Sequence, residues 1–177
     1  MVISRNSNAT VAAIRSRPAR TAGEVDWWCA RFEKECRRRG LRMTPQRLAV
    51  YRALAEDATH PTADSVFTRL RAGMKGLSRA TVYRILESLE REGFVSRVST
   101  TDGVGRYDAN LAPHQHLVCR RCGQIADLEL AALPHLRLPR RGPAGFVLEA
   151  LDIRVVGTCE RCRRPEGMQP KPKQHMI

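Results

Sequence analysis

The chain has 177 residues, 42% of them hydrophobic, enough to bury one core or two small ones without cysteine staples. No apolar run approaches the roughly 20 residues a membrane helix needs, and the first residues lack the apolar stretch of a secretory signal, so a cytoplasmic chain with no membrane partner is expected. Lys and Arg number 31 against 18 Asp and Glu, and the resulting +13 favours polyanionic partners, DNA or RNA.

Residues 1–24 hold four arginines, no acid before Glu24 and little periodicity, and read as a disordered basic arm. Their Arg/Ser bias also fits an organellar transit peptide. From Val25 the pattern turns helical: Val25, Cys29, Phe32 and Cys36 recur on one face, and Gly40 closes it. On that face Cys29 and Cys36 are small core residues rather than metal ligands. "TPQRLAVYRAL" starts a second helix with Thr44 as N-cap, Pro45 in the first position and an apolar stripe of Leu48, Tyr51, Leu54 and Ala55. After His60-Pro61, Thr62 caps a third, with Ala63, Val66, Phe67 and Leu70 at helical spacing.

"LSRATVYRILESLEREG" is the fourth and clearest helix, with Ser78 as N-cap, a stripe of Val82, Ile85, Leu86 and Leu89, and Gly93 at its end. "FVSRVSTTDGVGRYD" then alternates around an Asp102-Gly103 turn, as a two-stranded wing does. Short helices followed by a wing predict a winged helix-turn-helix domain over residues 25–107, with the fourth helix reading DNA. Turning its stripe inward leaves Ala80, Arg84 and Glu87 outside, flanked by Thr81 and Tyr83. Arg79 and Arg84 then reach phosphates or guanine edges, and Tyr83 a thymine methyl or a phosphate. The competing reading is the solvated face of a small helical domain.

The second half turns on cysteines. Cys119-x2-Cys122 and Cys159-x2-Cys162 are two knuckles suited to one tetrahedral zinc, and their wide separation means that they close a whole subdomain. Disulfides or a redox dithiol are the alternatives, and a cytosolic setting disfavours the first. His114 and His116 share one face of a strand, and Asp108 stands where the wing ends. With Asp127, these are nitrogen and oxygen donors without sulfur, a set for Fe(II), Mn(II) or Zn(II). Histidines with a carboxylate can also form an open iron centre in an enzyme, but the chain carries neither a nucleophile motif nor a phosphate loop, so no enzyme is expected.

"RMTPQR", "HPTAD", "ATVYRILESLEREG", "RYD", "HQHLVCRRCG" and "CERC" resemble, in order and spacing, the ferric uptake regulator family over about residues 40–164. The resemblance implies an α+β chain: an N-terminal winged helix-turn-helix domain, then a small α+β dimerisation domain with a four-cysteine zinc site over residues 108–165, and a flexible tail at 166–177. It further implies a homodimeric repressor in which metal binding clasps two DNA-reading domains onto double-stranded DNA, a palindromic A/T-rich operator. Its regulatory metal, Fe2+ or Mn2+, one per subunit, falls on His60, Asp108, His114, His116 and Asp127. Its structural Zn2+, also one per subunit, falls on Cys119, Cys122, Cys159 and Cys162.

Aspartates at 108 and 127 resemble the peroxide-sensing branch, whereas iron-responsive members more often use glutamate at the latter place. In that branch Fe(II) reacts with hydrogen peroxide and a ligand histidine is oxidised, here expected to be His60 or His114; manganese represses without sensing. A repressor of iron, manganese or zinc homeostasis is the alternative. Two departures stand out. Pro113 and Gln115 occupy places where relatives' further metal site has a histidine and an acid, so no third site is expected. The dimerisation helix falls on "ALPHLRLPRRGPAGF", where Pro134, Pro139 and Pro143 make it short or irregular. His135 and His175 match no role.

Overall fold

The computed structural model describes residues 20–98, 100, 103–112, 114–128, 142–147 and 154–163. Residues 1–19 of the expected arm, Asp102 of the wing turn, Pro113, most of the expected dimerisation helix with Pro134, His135 and Pro139, and the tail with His175 lie outside the described residues.

Four helices come first: α1 (Ala22–Arg38), α2 (Pro45–Glu56), α3 (Ala63–Leu70) and α4 (Arg79–Arg91). The side chains of Thr44, Thr62 and Ser78 each accept a hydrogen bond from a backbone N–H three residues on, so the three predicted N-caps are in place. The start of α1 corrects the expected boundary between arm and domain at residue 24. Thr21 accepts from the Glu24 N–H at 3.3 Å while the Glu24 carboxylate accepts from the Thr21 N–H at 2.7 Å, a capping box that begins the helix at Ala22. Arg20 belongs to the fold as well: its guanidinium lies 4.1 Å from the Trp28 ring centre and donates to the Ala55 carbonyl at 2.7 Å.

The core is helical and centred on α2, which touches α1, α3 and α4. Covered on several sides, α2 buries Val50 and Ala53 as well as Tyr51, Leu54 and Ala55, while Leu48 of the predicted stripe is only partly buried. Phe32 of α1 stacks on Tyr51 at 4.1 Å between ring centres and meets Phe94 edge-on at 4.8 Å. Cys29 and Cys36 are buried in this core, as their spacing predicts. From α4 come Val82, Leu86 and Leu89, with Ile85 partly covered.

Strands β1 (Ser96–Val98) and β2 (Arg106–Asp108) pair antiparallel as the wing. The second sheet has the order β4-β3-β5, from β3 (Gln115–Cys119), β4 (Ile125–Leu128) and β5 (Arg154–Gly157); β3 runs antiparallel to β4 and parallel to β5. Val98 of the wing packs with Val118 and Ile125, which joins the two sheets through a small apolar contact. A short helix α5 (Glu160–Arg163) closes the described chain. Within the expected dimerisation helix the described part is a single 3-10 turn, Pro143–Gly145, followed by exposed Phe146 and Val147.

Replacing Thr21 with alanine removes the cap and is expected to lower the unfolding free energy by about 1 kcal/mol. An unchanged urea midpoint would return Thr21 to the arm.

Candidate metal centres

His60 stands in the loop between α2 and α3 at φ +57, a left-handed conformation rare for a residue with a β-carbon. The loop is held against the wing. Arg106 donates to the His60 carbonyl at 3.4 Å, and the Tyr107 N–H donates to the Pro61 carbonyl at 3.1 Å. So fixed, the His60 side chain is 2% exposed. Asp108 ends β2, His114 precedes β3, His116 lies on it, and Asp127 of β4 stands opposite His116 in register.

These five residues, expected from the sequence at scattered positions, are brought together: one nitrogen or oxygen from each lies within 4.8 Å of all the others. His60 Nε2 is 3.0 Å from Asp127 Oδ1, His114 Nε2 is 2.9 Å from Asp108 Oδ2, and the Nε2 atoms of His114 and His116 are 3.0 Å apart. Yet both His60 ring nitrogens, Asp108 Oδ2 and Asp127 Oδ1 are buried without a hydrogen bond of proper direction. Short approaches without directionality are what donors converging on a common point produce. Orphaned buried polar atoms cost free energy that a cation among them would recover, so the donor set fits a divalent ion.

Charge within the cluster is strongly coupled. Burial pulls the His60 imidazole down, but the Asp108 and Asp127 carboxylates outweigh it and raise it to about 9. Burial likewise opposes ionisation of Asp108, and contacts with His114, His116 and His60 overcome it, holding the carboxyl well below its usual range. Asp127 is lowered against burial chiefly by His60, and His114 is raised chiefly by Asp108. Two buried carboxylates therefore keep protons on neighbouring imidazoles, and a metal ion must displace them.

Asn110, which the sequence reading passed over, organises the approach to this site. It is 4% exposed; its N–H donates to Asp108 Oδ1 at 2.7 Å, which leaves Oδ2 facing the histidines. The Asn110 side chain accepts from the Ala112 N–H at 3.3 Å and sits 3.3 Å from His114 Nδ1. His114 Nδ1 donates to the Ala112 carbonyl at 2.7 Å, so Nε2 faces the cluster and offers a lone pair there once its proton is displaced. The available signal was position: Asn110 lies on the short path between two candidate ligands.

The four predicted cysteines form a second cluster. Cys119 ends β3 in register with Gly157, and the turn after it is tied across by Arg120 N–H to the Gly157 carbonyl at 2.9 Å and Arg121 to the Cys162 carbonyl at 2.8 Å. All are free thiols. Cys122 and Cys159 sulfurs are 3.7 Å apart, far from a disulfide at about 2.05 Å and close to the roughly 3.8 Å edge of a tetrahedron with Zn–S bonds of about 2.3 Å. Burial opposes thiolate formation at Cys119, but backbone N–H groups, first that of Cys159 at 3.3 Å, bring it down to about 6. Contact with Cys122 pushes Cys162 up to about 12. Against burial, Cys122 is lowered as well, by the Gln124 N–H and the Arg161 guanidinium, so the cluster offers thiolate donors that suit a soft divalent metal. Among the described residues there are two such clusters.

On α4, Tyr83, Arg84 and Glu87 are exposed as the periodicity predicts. Arg79 is exposed but leans back, paired with Asp64 and 5.2 Å from the Phe67 ring centre. Thr81 differs from expectation: half-buried, it is drawn into the helix cap, its hydroxyl 2.8 Å from that of Ser78.

Residues 38–155 match the model of the Ferric uptake regulator family. The chain belongs to that family. Its members are dimeric, metal-dependent DNA-binding regulators of transcription rather than enzymes. The peroxide-responsive repressor PerR of Staphylococcus aureus strain Mu50 is 32% identical over 127 residues, 72% of this chain and 86% of that one. In fold the chain resembles the ferric uptake regulator of Helicobacter pylori, described with three functional metal binding sites (TM-score 0.64, 24% identity, 80% and 95% of the two chains). It also resembles a zinc uptake regulator complexed with zinc and DNA (TM-score 0.55, 26% identity, 81% and 96%).

Two outcomes follow. His60 is raised from 6.5 to about 9, so in the metal-free protein its ion pairs stabilise the fold fully below about pH 6.5 and are lost as pH rises toward 9. Those protons oppose metal binding, so Mn2+ affinity at the histidine site should climb across the same interval with protons released, as calorimetry in two buffers would register; a flat profile would mean that His60 is no ligand. Asn110→Ala should weaken Mn2+ binding there by about 10- to 100-fold and leave the zinc content of the cysteine cluster unchanged. Chelator competition giving wild-type affinity would reduce Asn110 to a core filler.

Proposed function

We propose that this family member is a cytoplasmic, peroxide-responsive repressor. One observation carries the reading: five nitrogen and oxygen donors, two of them aspartates, meet from both sides of the hinge between the helical half and the second sheet. His60 comes from the DNA-reading half, Asp108 from the end of its wing, and His114, His116 and Asp127 from the sheet beyond. An ion bonded to both halves penalises every hinge angle but one. In a homodimer that angle sets the spacing of two α4 helices along a palindromic, A/T-rich operator. Arg79 and Arg84 meet phosphates or base edges there, with Tyr83 and Thr81 beside them. Zn2+ on Cys119, Cys122, Cys159 and Cys162 ties β3 to α5 and keeps the sheet intact when the other site empties.

Fe(II) held by His60, Asp108, His114, His116 and Asp127 would supply the electron that cleaves hydrogen peroxide. The chain supplies the target. His114, with 11% of its side chain exposed, is the more accessible of the two candidate histidines, and His60 lies at 2%. Oxygen added to either ring removes a nitrogen donor, and losing that donor frees the hinge. The likeness to the staphylococcal peroxide-responsive repressor supports this reading. Likeness to the zinc uptake regulator favours a second one, a repressor of metal homeostasis using the same residues.

Operator binding by the Fe(II)- and Mn(II)-loaded protein under anaerobic conditions, before and after a small dose of peroxide, separates them. Loss of binding in the iron form alone, with one oxygen added to the peptide carrying His60 or His114, is the expected result. Binding that survives peroxide in both forms would make the protein a homeostasis regulator. Asp127→Glu should keep metal-dependent binding while lowering peroxide sensitivity.

A further inference from the structure

A groove of about 1060 Å3 lies between α1 and the hinge residues Ala109–Ala112. Phe32, Tyr51 and Phe94 are buried along it, and Trp27 and Leu111 leave 57% and 53% of their surfaces uncovered at its sides. Its volume is at the upper end of those that hold small organic ligands, roughly 300 to 1,000 Å3.

Charge on the rim selects the ligand. Glu35 is taken by Arg38 and Arg39, each at 2.6 Å. Arg31 and Lys34, both exposed, have no carboxylate partner among the described residues, and Arg31 lies 5.4 Å from the Trp27 ring centre. An aromatic floor beneath two uncompensated cations is complementary to a flat ring bearing a negative group. We propose that this groove binds a small aromatic anion, an aryl carboxylate or sulfonate, with its ring against the aromatic floor and its charge on Arg31 and Lys34. One wall is the segment in which Asn110 holds Asp108 and His114, so an occupant bears directly on the hinge. Resting on the metal reading above, this makes ligand and regulatory metal change each other's affinity by one common factor.

The chain's only two tryptophans, Trp27 and Trp28, both line the groove, so their emission reports its occupancy. The test uses the metal-free full chain and anilinonaphthalene sulfonate, read by energy transfer from tryptophan, with uncharged phenylnaphthylamine as control. Saturable binding at one site per chain is expected. The double variant Arg31→Ala, Lys34→Ala should weaken the sulfonate by at least about fivefold while leaving the neutral probe and the circular dichroism spectrum unchanged. No saturable energy transfer, equal loss for both probes, or wild-type sulfonate affinity in the variant would overturn the site. Repeating the titration with Mn2+ bound tests the coupling separately: identical affinities would remove the link to the hinge and leave the binding site standing. Operator binding plays no part in the first titration, so failure of the repressor reading and failure of the groove are distinguishable.

Discussion

Two carboxylates buried within reach of one imidazole are the constraint to which much of the structure answers. Asp108 and Asp127 lie 3.4 and 3.0 Å from His60 Nε2, at 7% and 8% exposure. Like charges buried so closely repel unless positive charge is supplied, by protons on the surrounding imidazoles or by a metal ion. That requirement explains why three histidines converge here. It also explains why His60 is held in a left-handed conformation by hydrogen bonds from the wing: a relaxed backbone at that loop would not be tied to the same inward aim.

Under the proposed function, the hinge is the place where chemistry is converted into geometry. Each half of the molecule contributes donors that are incomplete without the other, and the only other described apolar tie between the sheets is the small contact of Val98 with Val118 and Ile125. Such a contact is small beside the helical core around Phe32, Tyr51 and Leu54. The cysteine cluster has a different task. It lies at the far end of β3, where that strand meets β5, and uses backbone N–H groups to hold thiolate charge.

Helix caps, helix faces and the cysteine knuckles are legible in the sequence because each is a local pattern. Thr44, Thr62 and Ser78 act through bonds three residues away, and a CxxC turn brings two sulfurs together by itself. Where reading failed, the cause was a partner elsewhere in the chain or an overlooked local bond. The first turn of α1 reads as an arm because its apolar spacing starts at Val25, although Thr21 and Glu24 already spell a capping box. α2 is buried beyond its stripe because three helices surround it. Thr81 is half-buried because its hydroxyl meets that of Ser78 in the helix cap, and Arg79 turned toward an aspartate of α3.

By itself, then, the sequence determined the order of the four helices and the wing, the alternation that places His114 and His116 two residues apart on one face, and the donor chemistry of both clusters. For the ligand set as a whole it worked only through family likeness, since nothing local connects His60 with Asp127. Tertiary structure alone decided that these two meet at 3.0 Å, that Asn110 braces the segment between Asp108 and His114, and that an aromatic groove is lined by that segment. The reason is physical: local pattern reports bonds within a few residues, whereas burial, charge coupling and cavities arise from the convergence of segments far apart in the chain.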